Sequence, residues 1–153
     1  MEKICGDGTV VVVNEAAKTG VERFVFVSAA GAGQTGHKIL RGYWQGKQKA
    51  EEAVLRRFPD GGVILRASGV YGNRQVGPVM VPLGVVMRPM ELALQLPPFP
   101  TLRRSLGPLE AIFTPPVAVD AVGKTAAAAA TGALVPPGVL EVEDIKRYAA
   151  LVG

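Results

Sequence analysis

The sequence predicts an α/β fold built on parallel strands, and three observations carry that expectation. Phe24-Val25-Phe26-Val27 and Val63-Ile64-Leu65 are short apolar runs without polar alternation, the pattern of strands buried on both faces. Between them, Leu40 to Phe58 repeats its apolar residues at helical spacing, so strand, helix and strand follow in the order that parallel pairing requires. The chain then closes on helix, short strand and helix. With 153 residues, 48% hydrophobic and 20% charged, it is long and apolar enough to form one folded domain over residues 1–153.

Each element has its own signals. Val10 to Lys18 is bounded by Thr9, a candidate N-cap, and Gly20, a candidate stop, and predicts a short helix despite the β-branched run Val10 to Val13. The first strand ends at Ser28, and a glycine-rich loop covers Ala29 to Gly36. In the helix from Leu40 to Phe58, Tyr43, Lys47, Ala50 and Val54 fall in one row. Pro59-Asp60-Gly61-Gly62 predicts a turn before the second strand. A proline-rich, apolar region runs from Gly72 to Pro116. Helices are expected over Val119 to Thr131 and Glu143 to Val152, with a strand near Val139 to Val142.

Composition narrows the function classes. The net charge is +4, but lysines and arginines are scattered, which argues for an ordinary basic surface and against a nucleic-acid partner. Cys5 and His37 are single residues of their kinds, so neither an internal disulfide nor a histidine-rich metal site is expected. Cys5 has no sequence-near histidine to make it a nucleophile. No secretory signal starts the chain, and Val76 to Leu102 is broken by Pro82, Arg88, Pro89 and Glu91, so no transmembrane segment is expected.

The candidate chemistry lies on the central helix. Tyr43 and Lys47 stand four residues apart, on one helical face. A free tyrosine has a pKa of about 10, too high for proton transfer at neutral pH, and a nearby ammonium is expected to lower it. The pair sits in an ordered context: Arg23 to Ser28, Gly42-Tyr43-Trp44-Gln45-Gly46-Lys47, Leu65-Arg66-Ala67-Ser68-Gly69-Val70-Tyr71-Gly72, then Pro115-Pro116-Val117-Ala118-Val119-Asp120. This succession resembles the atypical and extended short-chain dehydrogenase/reductases (SDRs) over nearly the whole chain. Tyr43 to Lys47 and Pro115 to Val117 are most similar to a plant and fungal organellar group, related to the SDR-like accessory subunit of respiratory complex I and to a coenzyme Q-synthesis protein.

The resemblance implies a partial Rossmann-like, doubly wound parallel sheet lacking its first strands, with a substrate-side region at about 72–116. It implies Tyr43 as acid/base, Lys47 as its modulator and ribose contact, and Ala67, Ser68, Gly69 and Val70 beside the nicotinamide of NAD(P). Those four also read as an ordinary strand end. Ser28 is the candidate catalytic hydroxyl, although in the family that group tends to fall one residue later, at Ala29; its other reading is a strand end bonded to the loop. Asp120 is expected to cap its helix. Met80, Met87 and Met90 would either line a pocket for a small, apolar substrate or pack in the core, and Arg103 and Arg104 would meet lipid phosphate in one reading. An organellar address, chloroplast or mitochondrion, follows from the resemblance alone.

One expected part is missing. A dinucleotide fold grips pyrophosphate with a glycine-rich turn between its first strand and helix, and no Gly-x-x-Gly-x-x-Gly follows a strand here. Gly31-Ala32-Gly33 and Gly36 spell Gly-x-Gly-x-x-Gly, but their place just before the Tyr43 helix fits an active-site loop. NAD(P) binding is therefore expected to be impaired in an N-terminally truncated domain. Its open strand edge is expected to pair with a homo- or hetero-oligomeric partner. Three readings stay open: an SDR-type oxidoreductase, a non-catalytic accessory protein of an organellar complex, and a fragment without function.

Overall fold

A computed structural model describes residues 3–30, 41–76, 79–82, 84–97 and 114–152. A π-helical turn, Lys3–Asp7, leads into helix α1, Gly8–Lys18. Then come strand β1 (Phe24–Ala29), helix α2 (Arg41–Arg57) and strand β2 (Gly62–Ala67). The short β3 (Val70–Tyr71), the hairpin of β4 (Asn73–Val76) and β5 (Val79–Pro82), and helix α3 (Gly84–Gln95) follow. Strand β6 (Val117–Ala118), helix α4 (Val119–Thr131), strand β7 (Gly138–Leu140) and helix α5 (Val142–Val152) complete the described chain.

Three strands form the main sheet in the order β1-β2-β7, all parallel. Helices cover both faces, and the pleat explains how one strand serves both. Phe24, Phe26, Ile64 and Val139 point toward α1 and α2, where Val13, Ala53, Val54 and Phe58 complete a cluster. Their neighbours Val25, Val63, Leu65 and Leu140 point the other way, onto Val122, Ala128, Ala129 and Ile145 of α4 and α5. This is a small α/β/α sandwich, a partial Rossmann-like fold, and the unbroken apolar runs of the sequence are its cause.

The helix ends follow from glycine at two places. Gly20 and Gly132 both take left-handed φ values, +79° and +76°, that a side chain would resist. Behind them Val21 N–H bonds the Ala16 carbonyl at 3.2 Å and Ala133 N–H bonds the Ala128 carbonyl at 3.0 Å, closing the last turns of α1 and α4. The start of α1 differs from expectation. Thr9 lies inside the helix and its hydroxyl donates back to the Cys5 carbonyl at 3.2 Å, so it caps nothing. The expected strand near Val139 to Val142 falls at Gly138–Leu140. Within the proline-rich region, the β4–β5 hairpin and α3 were not signalled by any clear periodicity; α3 even carries Pro89 in its interior.

Charge pairs tie the layers together. Glu51, 3% exposed, takes Arg66 of β2 through contacts of 2.6 and 3.2 Å, while Arg66 also reaches Glu141 at 3.0 Å. Arg23, at the entrance to β1, donates to the Ala129 carbonyl at 2.7 Å and so satisfies the end of α4. Among the described residues, no helix is long and apolar enough to cross a membrane.

Candidate functional site

The site is built where β1 ends. Hydrogen bonds from Phe24 N–H to Gly61 and from Ala30 N–H to Ala67, with the parallel register between them, turn the backbone of residues 24, 26, 28 and 30 toward β2. Val25, Val27 and Ala29 therefore present their N–H and C=O groups to the opposite edge, where no described strand pairs. Ser28 shares the side-chain face of Phe24 and Phe26, beneath α2. It is 5% exposed, and its hydroxyl has no hydrogen-bond partner among the described residues. A buried hydroxyl left without a partner is costly and calls for an explanation.

Helix α2 brings Tyr43 and Lys47 to the same strand end, half-buried on one face as the spacing predicts. The Lys47 Nζ lies 4.6 Å from the centre of the Phe26 ring and 5.9 Å from that of Tyr43. It donates a 2.9 Å hydrogen bond to the Val27 carbonyl, one of the open-edge acceptors. A lysine at an exposed strand edge is a common guard against unwanted pairing. Here the same ammonium stands beside the phenol.

The electrostatics correct one expectation. Tyr43 was expected to have its pKa lowered by Lys47, but burial, and then the Cys5 thiol, push it above the ordinary tyrosine value. Burial also lowers the Lys47 pKa, against the opposing pull of Cys5 and Glu51. Desolvation disfavours both charged forms and is the largest influence on each. Cys5 is the residue that sequence reasoning missed. It stands near enough to act on both groups, because Gly6 packs directly on Gly46: a Cβ at Gly6 would lie 2.8 Å from the Gly46 Cα. Two glycines at a helix crossing were the available signal. Glu51, one turn beyond Lys47 on the same face, was legible from the 43, 47, 51 spacing.

The remaining candidates separate. Ala67 is buried at the end of β2, level with Ala29 across the sheet. The Ser68 hydroxyl is occupied by the Pro115 carbonyl at 2.5 Å, and Val70 pairs with Val117. Gly69 is exposed, with Met87 against one side. Asp120 does not cap α4: the N-cap is Ala118, without a side-chain hydrogen bond. Met87 therefore packs beside Gly69 and Met90 is 44% exposed, and neither lines the cavity beside α3. The side chain of Met80, together with His37, the glycines from Gly31 to Gly36, Arg103 and Arg104, lies outside the described residues. Among the described residues, no group of three or more His, Cys, Asp or Glu side chains is placed to hold a metal.

An α/β sandwich of parallel strands, with a hydroxyl, a phenol and an ammonium at one strand's carboxyl end, is the class of molecule that this geometry defines. The chain is similar to an Arabidopsis thaliana protein, At1g32220, described as uncharacterized and chloroplastic. The two are 33% identical over 154 aligned positions, covering 98% of this chain and 51% of the relative. The chain thus spans about half the length of the relative that it matches. No protein-family model matches the chain.

Proposed function

We propose that this chain is the nicotinamide-side part of an SDR-type oxidoreductase domain acting on a small substrate, in a plastid. The observation that carries the reading is the buried Ser28 hydroxyl, without a partner among the described residues, at the carboxyl end of β1 and beneath the helix that holds Tyr43 and Lys47. In parallel α/β sheets, ligands bind outside the carboxyl ends of the strands. The organelle comes from the relative's description as chloroplastic.

A bound nicotinamide would supply or accept the hydride, and the chain's own residues would manage the proton. Tyr43, kept neutral by burial, holds a proton for a developing alkoxide, and Ser28 holds the substrate oxygen in place by hydrogen bonding. Lys47 is needed within reach of a ribose hydroxyl and the phenol, and one of its three donors is taken by the Val27 carbonyl. The residues fit NAD(P) in part: the strand-end groups are present, while the pyrophosphate-gripping turn is not in this sequence.

Calorimetric titration with NADPH and NADH tests this. Micromolar binding that is weakened by Tyr43→Phe and by Lys47→Ala supports the reading. Undetectable binding of both nucleotides by a folded chain rejects it. The bond from Lys47 to Val27, with the raised Tyr43 pKa, favours a second reading in which the chain is a non-catalytic, SDR-like accessory module. Under either reading, the outward backbone groups of Val25, Val27 and Ala29 form the surface through which the chain joins another subunit. A strictly monomeric species with a sharp, cooperative melt in sedimentation and calorimetry would reject that pairing.

A further inference from the structure

A cavity of about 930 Å³ lies away from Ser28, Tyr43 and Lys47, between α3 and the segments that carry Tyr71 and Asp120. Helix α3 offers one face to it, with Val85, Arg88 and Leu92 in successive turns. Asn73 and the start of α4, at Val119 and Asp120, also line it. Its floor is fixed: Glu91 accepts from the Tyr71 hydroxyl at 2.5 Å and from Lys146 at 2.5 Å, so its carboxylate is already committed.

Two exposed charges that line this cavity are unpaired among the described residues. Neither Arg88 nor Asp120 has a hydrogen bond or ion pair with another described residue. Val85, Leu92 and Val119, which also line the cavity, are 71%, 56% and 48% exposed, an apolar surface that water covers poorly. We propose that the cavity binds a small, branched monocarboxylate bearing a hydroxyl. The carboxylate pairs with Arg88, the hydroxyl donates to Asp120, and the aliphatic body covers Leu92 and its apolar neighbours. Asp120 sets the charge limit, because a second negative charge on the ligand would face an unpaired carboxylate. The site contains none of the strand-end groups and stands or falls without nucleotide binding.

The test is a ¹H–¹⁵N titration of the full chain with 2-hydroxy-4-methylpentanoate. The expected result is saturable shifts at the Asn73 side-chain amide and at the amides of Val119 and Asp120, with roughly millimolar affinity for so small a ligand. Arg88→Gln should weaken binding about tenfold, the scale of one charge-assisted hydrogen bond. Asp120→Asn should remove the advantage over 4-methylpentanoate, which lacks the hydroxyl, and should improve binding of dianionic phenyl phosphate. Unsaturated shifts up to about 10 mM, beyond the affinity range expected here, overturn the proposal. Equal binding by Arg88→Gln with unchanged far-UV circular dichroism overturns it too.

Discussion

Truncating Glu51 to alanine should destabilise the fold more than any comparable change at a surface charge. The Glu51 side chain is 4% exposed and that of Arg66 is 23% exposed, with 2.6 Å between the closest oxygen and nitrogen. Removing one member of a buried pair strands the other charge and costs about 3–5 kcal/mol. Arg66 keeps Glu141 at 3.0 Å and part of its guanidinium is open to water, which reduces the expected loss to about 2–3 kcal/mol. For a chain of this size that is a fall in Tm of roughly 5–10 °C. Urea unfolding followed by circular dichroism gives the number directly. Glu141→Ala is the internal control: its side chain is half exposed, so its loss should stay below about 1 kcal/mol. Glu51→Gln keeps the shape and removes only the charge. If Glu51→Ala and Glu141→Ala fall within about 0.5 kcal/mol of each other, the additivity limit for such comparisons, the pair is not the clamp between α2 and β2 that its burial implies.

Three further outcomes follow from other contacts. Gly6→Ala places a methyl 2.8 Å from the Gly46 Cα, so the π-helical turn must shift off α2, at a cost of about 1–3 kcal/mol in unfolding experiments. Burial raises the Glu91 pKa, but hydrogen bonds from Lys146 and Tyr71 outweigh that effect and hold it below the usual carboxylate range. Its folded value is depressed, so its contribution is present above the unfolded pKa of about 4.3 and is lost as pH falls through the lower folded value. Hydrogen-exchange protection over residues 84–95, corrected for the intrinsic rate, should therefore fall as pH drops through the lowered Glu91 pKa, and Glu91→Gln should show the same loss at neutral pH. Finally, Tyr43→Phe should delete a phenolate absorbance step that lies above pH 10, since burial raises its pKa; deletion of a step well below 10 would contradict the Tyr43 environment described here.

Much of this fold was legible in the residues because the sheet is buried on both faces. The runs from Phe24 and from Val63 have no polar side to confuse, and Gly20 marks its helix end by a backbone geometry that other residues avoid. The region from Gly72 to Pro116 was illegible for the converse reason. Helix α3 is held by a few side-chain contacts of Glu91 and leaves Val85, Met90 and Leu92 exposed, so its apolar residues do not trace one buried stripe. The site was half legible. Helical spacing is enough to put Tyr43 and Lys47 on one face, but only the third dimension reveals that the nearest acceptor for Lys47 is a strand-edge carbonyl.

That carbonyl links the two questions of assembly and chemistry. A strand laid along β1 would need the Val27 carbonyl as a ladder acceptor, and that acceptor is now held by Lys47. A carbonyl oxygen has two lone pairs, so edge pairing competes with the present lysine contact without excluding it. The ammonium already lies 4.6 and 5.9 Å from the centres of the Phe26 and Tyr43 rings, the faces that would draw it on displacement. An ammonium moved closer to the phenol favours the phenolate, so completion of the sheet edge and a fall in the Tyr43 pKa should occur together. A Lys47→Met chain has nothing to displace. It should pair its edge more readily than the parent chain while gaining no change in Tyr43 ionisation on doing so.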